Sequence, residues 1–172
     1  MPTLYILCGP SGCGKSTWRD FYIQEHENVK YVSRDAIRFA MLQEGEDYFA
    51  HEKEVFQEFV NTLAQTLVDG FDVIADATHL NAYSRNKLTT AIDKITTDYE
   101  IKYVVFYTPM ADCIERDDLR EGIMHVGKEV IQGMFRSFKA PTLEEDSRAN
   151  EIIEVGDGKE DFSFLMAPYW KD

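Results

Sequence analysis

Residues Gly9-Pro-Ser-Gly-Cys-Gly-Lys-Ser-Thr17 carry the spacing G-x-x-x-x-G-K-S/T, and each residue type in that run has a reason to stand beside a phosphate. Gly9, Gly12 and Gly14 let the backbone wrap an anion with its N–H groups turned inward. A helix starting directly after them adds the partial positive charge of its N-terminus. Lys15 is placed for the β- and γ-phosphates of a nucleoside triphosphate, and the Ser16 hydroxyl for Mg²⁺. Ser11, Cys13 and Thr17 complete the loop. A plain glycine turn requires no Lys-Ser pair at these positions, so the run reads as a phosphate loop. Cys13 stands near the helix N-terminus, where a thiol pKa can fall; as a small spacer it needs no such property.

Switches, motors and kinases all use such loops, and the other polar residues bear on the choice. Ser33-Arg-Asp-Ala-Ile-Arg38 follows a second apolar run. Asp35 at that point can orient an alcohol and take its proton, with Arg38 on the same helical face to hold a phosphorylated alcohol. The same residues also suit an ordinary helix start, with Ser33 as N-cap, Asp35 as first-turn acid and Arg38 toward solvent. Asp72-Val-Ile-Ala-Asp76 ends in a carboxylate of the kind that binds Mg²⁺, although Asp also favours the turn after many strands. Thr78, His79 and Asn81 follow as a polar loop, with His79 either touching substrate or simply solvated. Arg116 and Arg120, four apart, share a helical face. They either close over a triphosphate as a lid or join Glu115, Asp117, Asp118 and Glu121 in a solvated, salt-bridged surface. His26, His51 and His125 show no metal-binding spacing.

These residues need a frame that gathers them at one edge. Thr3 to Cys8 is a short apolar run stopped by Gly9, as in a buried parallel strand. From Lys15 the apolar positions Trp18, Phe21 and Tyr22 repeat at helical spacing. Further strands are expected over 29–33, 71–75, 101–108 and 151–155, and helices over 36–42, 48–69, 84–97, 111–121 and 128–138, with Gly70 closing the longest. The alternation implies an α/β fold, a parallel sheet with helices on both faces, in one domain over 1–172. The acidic 142–161 segment is the least determined. A chain of 172 residues leaves no room for a second catalytic domain.

Three cysteines without C-x-x-C spacing predict free thiols. Eighteen Lys and Arg against 31 Asp and Glu give a net charge of −13, and after Pro141 nine acids face three bases. Broad adhesion to nucleic acid is therefore disfavoured, whereas a small basic pocket on an acidic body is compatible. With no basic leader and no run of eighteen apolar residues, a cytoplasmic address without membrane contact is expected.

Taken together, Gly9 to Thr17 with Trp18, Ser33 to Arg38, Asp76-Ala-Thr-His-Leu-Asn81, Arg116 to Arg120 and Phe138-Lys-Ala-Pro-Thr-Leu-Glu-Glu145 resemble, in order, the phosphate-loop polynucleotide 5′-hydroxyl kinases of phages and of polynucleotide kinase-phosphatases. The resemblance implies a P-loop kinase domain with a short helical lid at about 112–127. It implies that Lys15 and Ser16 bind ATP and Mg²⁺, the cation being the one for which the Asp76 carboxylate is already a candidate, and that Asp35 is the general base for the 5′-hydroxyl. Arg38 would contact the phosphate beside the acceptor nucleotide, and Arg120 with Arg116 would supply the lid arginine. His79 stands where the family carries Asn, Val126 where its lid commonly has proline, and Asp146-Ser147 where Phe usually follows. The expected acceptor is the single-stranded 5′ end of DNA or RNA, admitted beside Arg34, Arg38, Thr78 and Arg85. The alternatives are a kinase of a small alcohol such as a nucleoside, nucleotide or sugar, and an ATP-binding switch.

Overall fold

The computed structural model describes residues 1–156. The last part of the acidic segment, 157–161, and the end of the expected domain, to residue 172, lie outside the described residues. Five strands, β1 (Thr3–Cys8), β2 (Val29–Ser33), β3 (Asp72–Asp76), β4 (Glu100–Phe106) and β5 (Ala149–Val155), alternate with helices α1 (Lys15–Glu25), α2 (Arg34–Met41), α3 (Glu52–Val68), α4 (Ala82–Asp93), α5 (Met110–Asp118) and α6 (Lys128–Ser137). The sheet runs β2-β3-β1-β4-β5 with every pairing parallel. From β1 the chain thus goes to the far edge at β2, returns inward to β3 beside β1, and then crosses to β4 and β5 on the other side. That reversal leaves a crevice at the carboxyl end of β1, where open α/β sheets take their ligands.

Strand periodicity divides the core in two. Leu4 and Ile6 face α3 and α4, with Phe59, Leu63, Leu88 and Ile92 packed on them. Tyr5 and Leu7 face the other way, against Trp18 of α1, Cys113 of α5 and Ile131 of α6. Each fully buried large apolar side chain contributes about 1.5–3 kcal/mol, so both helical layers hold the sheet edge rigid. The three cysteines are buried free thiols, and Trp18 is core. Among the described residues no helix is long and apolar enough to cross a membrane.

Some boundaries differ from those read from the sequence, for local reasons. The helix expected from residue 48 begins at Glu52, because Asp47 closes a turn first: its carboxylate accepts from Phe49 N (3.1 Å) and its carbonyl from Ala50 N (3.0 Å). α4 starts at Ala82 because Asn81 and Ser84 cap its first turn reciprocally. Gly70 takes a φ of +91° just past α3, as a helix-ending glycine does.

Candidate active site

A cavity of about 770 Å³ opens at the carboxyl edge of the sheet, between the 9–17 loop, the β2–α2 junction, the start of α3, the loop after β3, and α5 with the segment that follows. Its walls include Ser11, Gly12, Gly14, Lys15, Ser16, Thr17, Arg34, Asp35, Arg38, Asp76, Thr78, Arg116 and Arg120, so most of the candidate residues from distant parts of the chain share one space.

On the donor side the loop is shaped from behind. The Thr108 hydroxyl donates to the Cys13 carbonyl (2.6 Å) and Arg116 Nη1 to the Gly12 carbonyl (2.7 Å). Because a trans peptide points C=O and the next N–H in opposite directions, carbonyls held outward turn the amides of Cys13 and Gly14 inward. Gly12 and Gly14 have φ of +83° and +101°, and a Cβ on Gly12 would lie 2.7 Å from the Cys113 carbonyl oxygen. A side chain there is excluded twice, by conformation and by space. No side chain caps α1, whose N-terminus therefore keeps its donors for an anion. Gly9 N donates to the Thr78 carbonyl (2.9 Å), which ties the β3 loop to the phosphate loop. Lys15 Nζ folds over its own loop, onto the carbonyls of Gly9 and Pro10 at 2.8 Å each.

The two arginines of α5 and its end divide the work. Arg116, on the cavity wall, holds the Gly12 carbonyl, while Arg120 Nη1 reaches the Ser11 hydroxyl at 3.1 Å. Asp117, read as one member of a solvated surface, is instead fully buried and accepts from the amides of Val126 (2.9 Å) and Gly127 (2.8 Å), closing the lid segment on itself. Cys13 is buried, and burial raises its thiol pKa against the pull of Lys15, so the spacer reading fits and the lowering that a helix N-terminus can give does not.

Asp76 ends β3 with Oδ2 accepting from Arg19 Nη1 at 2.7 Å. Burial raises its pKa, opposed by the charges of Lys15 and Arg19. A hydroxyl at Ser16 and a buried carboxylate at Asp76, both on the cavity wall, form the hard oxygen set that suits Mg²⁺. A cation there would offset the burial of that carboxylate. The donor side therefore fits a magnesium-bound triphosphate.

The acceptor side is a network of side chains. Ser33 Oγ caps α2 by accepting from Ala36 N (3.1 Å), so the helix-start reading of this motif holds for Ser33 and Asp35 but not for Arg38. Asp35 lies in the first turn, 60% exposed, and its Oδ1 accepts from both Arg38 Nη1 and the Tyr48 hydroxyl (2.8 Å). Oδ2 takes no hydrogen bond from the described residues. Arg38 is buried rather than solvent-facing, because Glu52 receives its Nε (3.2 Å) and Nη2 (2.7 Å) while the same carboxylate takes Arg34 Nη2 at 2.7 Å. Burial opposes the charge on Glu52, yet the Arg38 bonds and both arginine charges outweigh it and hold its pKa below the ordinary value. Two cations and two carboxylates thus meet with no net charge. Tyr48 and Glu52 went unnoticed in the sequence; their only signal was proximity to the start of an expected helix.

Two residues lie elsewhere than expected. Arg85 is apart from the cavity, buried with Nη1 on the His79 carbonyl (3.0 Å) and Nη2 on the Lys139 carbonyl (2.9 Å). His79, for which a solvated position was weighed, is 5% exposed and lines the cavity.

A family model described as an AAA domain matches residues 4–141. No curated protein sequence matches the chain. Among solved structures, a chain of the "Pnkp1/Rnl/Hen1 RNA repair complex" is similar with a TM-score of 0.68 and 23% identity over 79% of this chain and 43% of that one. A "Fungal RNA Kinase" is similar with a TM-score of 0.62 and 13% identity over 89% and 38%. A "sugar kinase" from Janibacter sp. HTCC2649 gives 0.66 and 14% over 98% and 92%. The chain thus spans less than half the length of the first two proteins and nearly all of the third. At these identities the likeness is one of fold.

Proposed function

This chain belongs to the AAA-domain family of that model and has the α/β fold of a phosphate-loop kinase; from that premise we propose that it transfers the γ-phosphoryl group of ATP to the 5′-hydroxyl of a nucleic-acid end. ATP with Mg²⁺ supplies the transferable phosphoryl group, its phosphates held by the loop amides, Lys15 and the Arg120 guanidinium, and its cation by Ser16 and Asp76. Asp35 Oδ2 takes the acceptor proton as the acceptor oxygen bonds to phosphorus and the phosphorus bond to the diphosphate breaks, releasing ADP. Arg38 and Tyr48 hold Oδ1 so that the other oxygen stays aimed. Counting five N–H donors on Arg38, four are in use among the described residues, and the fifth, on Nη2, suits a neighbouring phosphate.

The observation that carries this reading is a pinned carboxylate sharing one cavity with a phosphate loop and an arginine over it. For a nucleic-acid acceptor, the support is aromatic. Phe39, Tyr48, Phe49 and Phe56 line the acceptor side, Phe49 is 62% exposed, and exposed rings beside arginines are stacking platforms for unpaired bases. A second reading, a kinase of a small sugar-like alcohol, is favoured by the sugar kinase that aligns along nearly its whole length, and by the −13 charge. Labelled-ATP transfer to 5′-hydroxyl oligonucleotides, mononucleotides and free sugars separates the two. Transfer to oligomers is expected and should be lost in Asp35→Asn; transfer only to free sugars would replace the first reading with the second.

A further inference from the structure

Arg120 stands in a stretch that packing does not hold. From Asp118 to His125 every residue is exposed, Leu119 by 81%, and side chains in water fix a backbone only weakly. Yet Arg120 Nη1 meets the Ser11 hydroxyl of the phosphate loop at 3.1 Å. The hydrogen bonds of the segment account for this, because they converge on one residue. The Asp117 carbonyl accepts from Arg120 N (3.0 Å) and from His125 Nδ1 (2.9 Å). The Asp117 carboxylate accepts from Val126 N through Oδ1 (2.9 Å) and from Gly127 N through Oδ2 (2.8 Å). A single residue thus holds both ends of the loop that carries the arginine.

By the rules of its own helix Asp117 is badly placed. It lies in the last turn of α5, where a carboxylate opposes the helix dipole, and it is fully buried, where a charge needs partners. Both costs are offset at α6. Gly127, the N-cap there, brings no capping side chain, and Asp117 supplies from α5 the negative charge and the acceptor oxygens that this N-terminus favours. The anchor is also fixed relative to the phosphate loop, since the adjacent Arg116 holds the Gly12 carbonyl at 2.7 Å. Among the described residues Asp117 is not part of the cavity wall, whereas Arg116 and Arg120 are. We propose that Asp117 is a positioning residue for phosphoryl transfer, holding the Arg120 loop so that the guanidinium meets the transferring phosphate. This rests on the kinase reading above and on the place it gives Arg120. A guanidinium displaced from the developing charge keeps its charge and loses its effect, so a loosened loop lowers the rate by misplacement alone.

The test is a double-mutant cycle in kcat on one acceptor. Asp117→Asn keeps the shape and one acceptor oxygen but turns an N–H toward the other amide, and it should lower kcat about tenfold. Asp117→Ala, which removes both bonds, should lose about 10²-fold, no more than Arg120→Ala. The KM for ATP should move by less than about twofold in Asp117→Asn, because the loop amides and Lys15 are untouched. In the Arg120→Ala background, Asp117→Asn should change kcat by less than about twofold, since no guanidinium is left to misplace. A merely structural residue would cost about tenfold again there. Amide hydrogen exchange of the unaltered protein tests the anchor without a variant: Arg120, Val126 and Gly127 should exchange more slowly than Glu121 and Gly122. Losses that multiply in the cycle, or exchange at Val126 and Gly127 as fast as at Glu121 and Gly122, would overturn the positioning role and leave the kinase reading standing. Transfer to no acceptor by the unaltered protein would remove both.

Discussion

The two halves of the cavity are built in opposite ways. The donor half is mostly backbone: nine consecutive residues set by left-handed glycines, two carbonyls pinned from behind and an uncapped helix end. The acceptor half is mostly side chains, brought from the β2–α2 junction, the 47–50 turn, the first residue of α3 and the loop after β3. A backbone cradle keeps its donors when most of its neighbours change, its needs being confined to the glycines and to the Thr108 and Arg116 side chains that hold two of its carbonyls. A network in which Glu52 holds Arg38 and Arg38 holds Asp35 passes every substitution to its neighbours, so effects there are coupled rather than additive.

The donor half should give the largest effects, and they should not depend on the acceptor. Lys15→Met is expected to lower phosphoryl transfer by about 10³-fold or more, about 4 kcal/mol, equally for every acceptor. Arg120→Ala follows at about 10²-fold, about 3 kcal/mol, in kcat rather than in the acceptor KM. Steady-state rates on two unlike acceptors check both. An Arg120→Ala rate equal to that of the unaltered protein would return this arginine to the solvated surface, and an acceptor-dependent loss at Lys15 would erase the division between the halves.

That division also explains what the sequence disclosed. The donor half is a contiguous run whose constraints act on the residues themselves, so its glycines, Lys15 and Ser16 are legible without coordinates. So is the strand and helix alternation, because each strand must bury its faces between helices. Asp35 and Arg38 were legible as a pair at helical spacing, but not the burial of Arg38, which depends on Glu52 fourteen positions on. Tyr48 was hidden by helical periodicity, since the Asp47 turn that frees it is a local competition between side chain and helix. The burial of His79 and the place of Arg85 were hidden for a similar reason: whether a polar side chain faces water or folds inward depends on carbonyls such as Leu7 and Lys139, supplied from far along the chain.

Breaking the acceptor half should show in stability as well as rate. Glu52→Ala leaves two guanidinium groups without their shared carboxylate and is expected to cost about 1–2 kcal/mol in urea unfolding at neutral pH, allowing for the partial exposure of Glu52. The pH dependence has a defined sign. The pKa of Glu52 is lower folded than unfolded, so its contribution is complete above the ordinary Glu range and fades as pH falls through the folded value. The gap between the unaltered protein and Glu52→Ala should therefore shrink on acidification. A gap that widened instead would mean that the carboxylate is not held by the arginines.

Tyr48→Phe should give the smallest effect and the sharpest one. It removes a single oxygen, and with it one of the two donors on Asp35 Oδ1, while the ring stays against Phe39 and Phe49. Arg38 still holds the same oxygen, so the carboxylate is loosened rather than released. A loss of about three- to tenfold in kcat is expected, within the range of one hydrogen bond, with the KM for ATP unchanged because the donor half is untouched. Burial, and then Asp35, push the Tyr48 hydroxyl pKa up to about 12, so it remains a donor throughout the working range. The ratio of the two rates should therefore stay flat from about pH 6 to about pH 9. A ratio that changed across that interval would mean that Tyr48 itself exchanges a proton in the reaction, and the aiming of Asp35 would then belong to Arg38 alone.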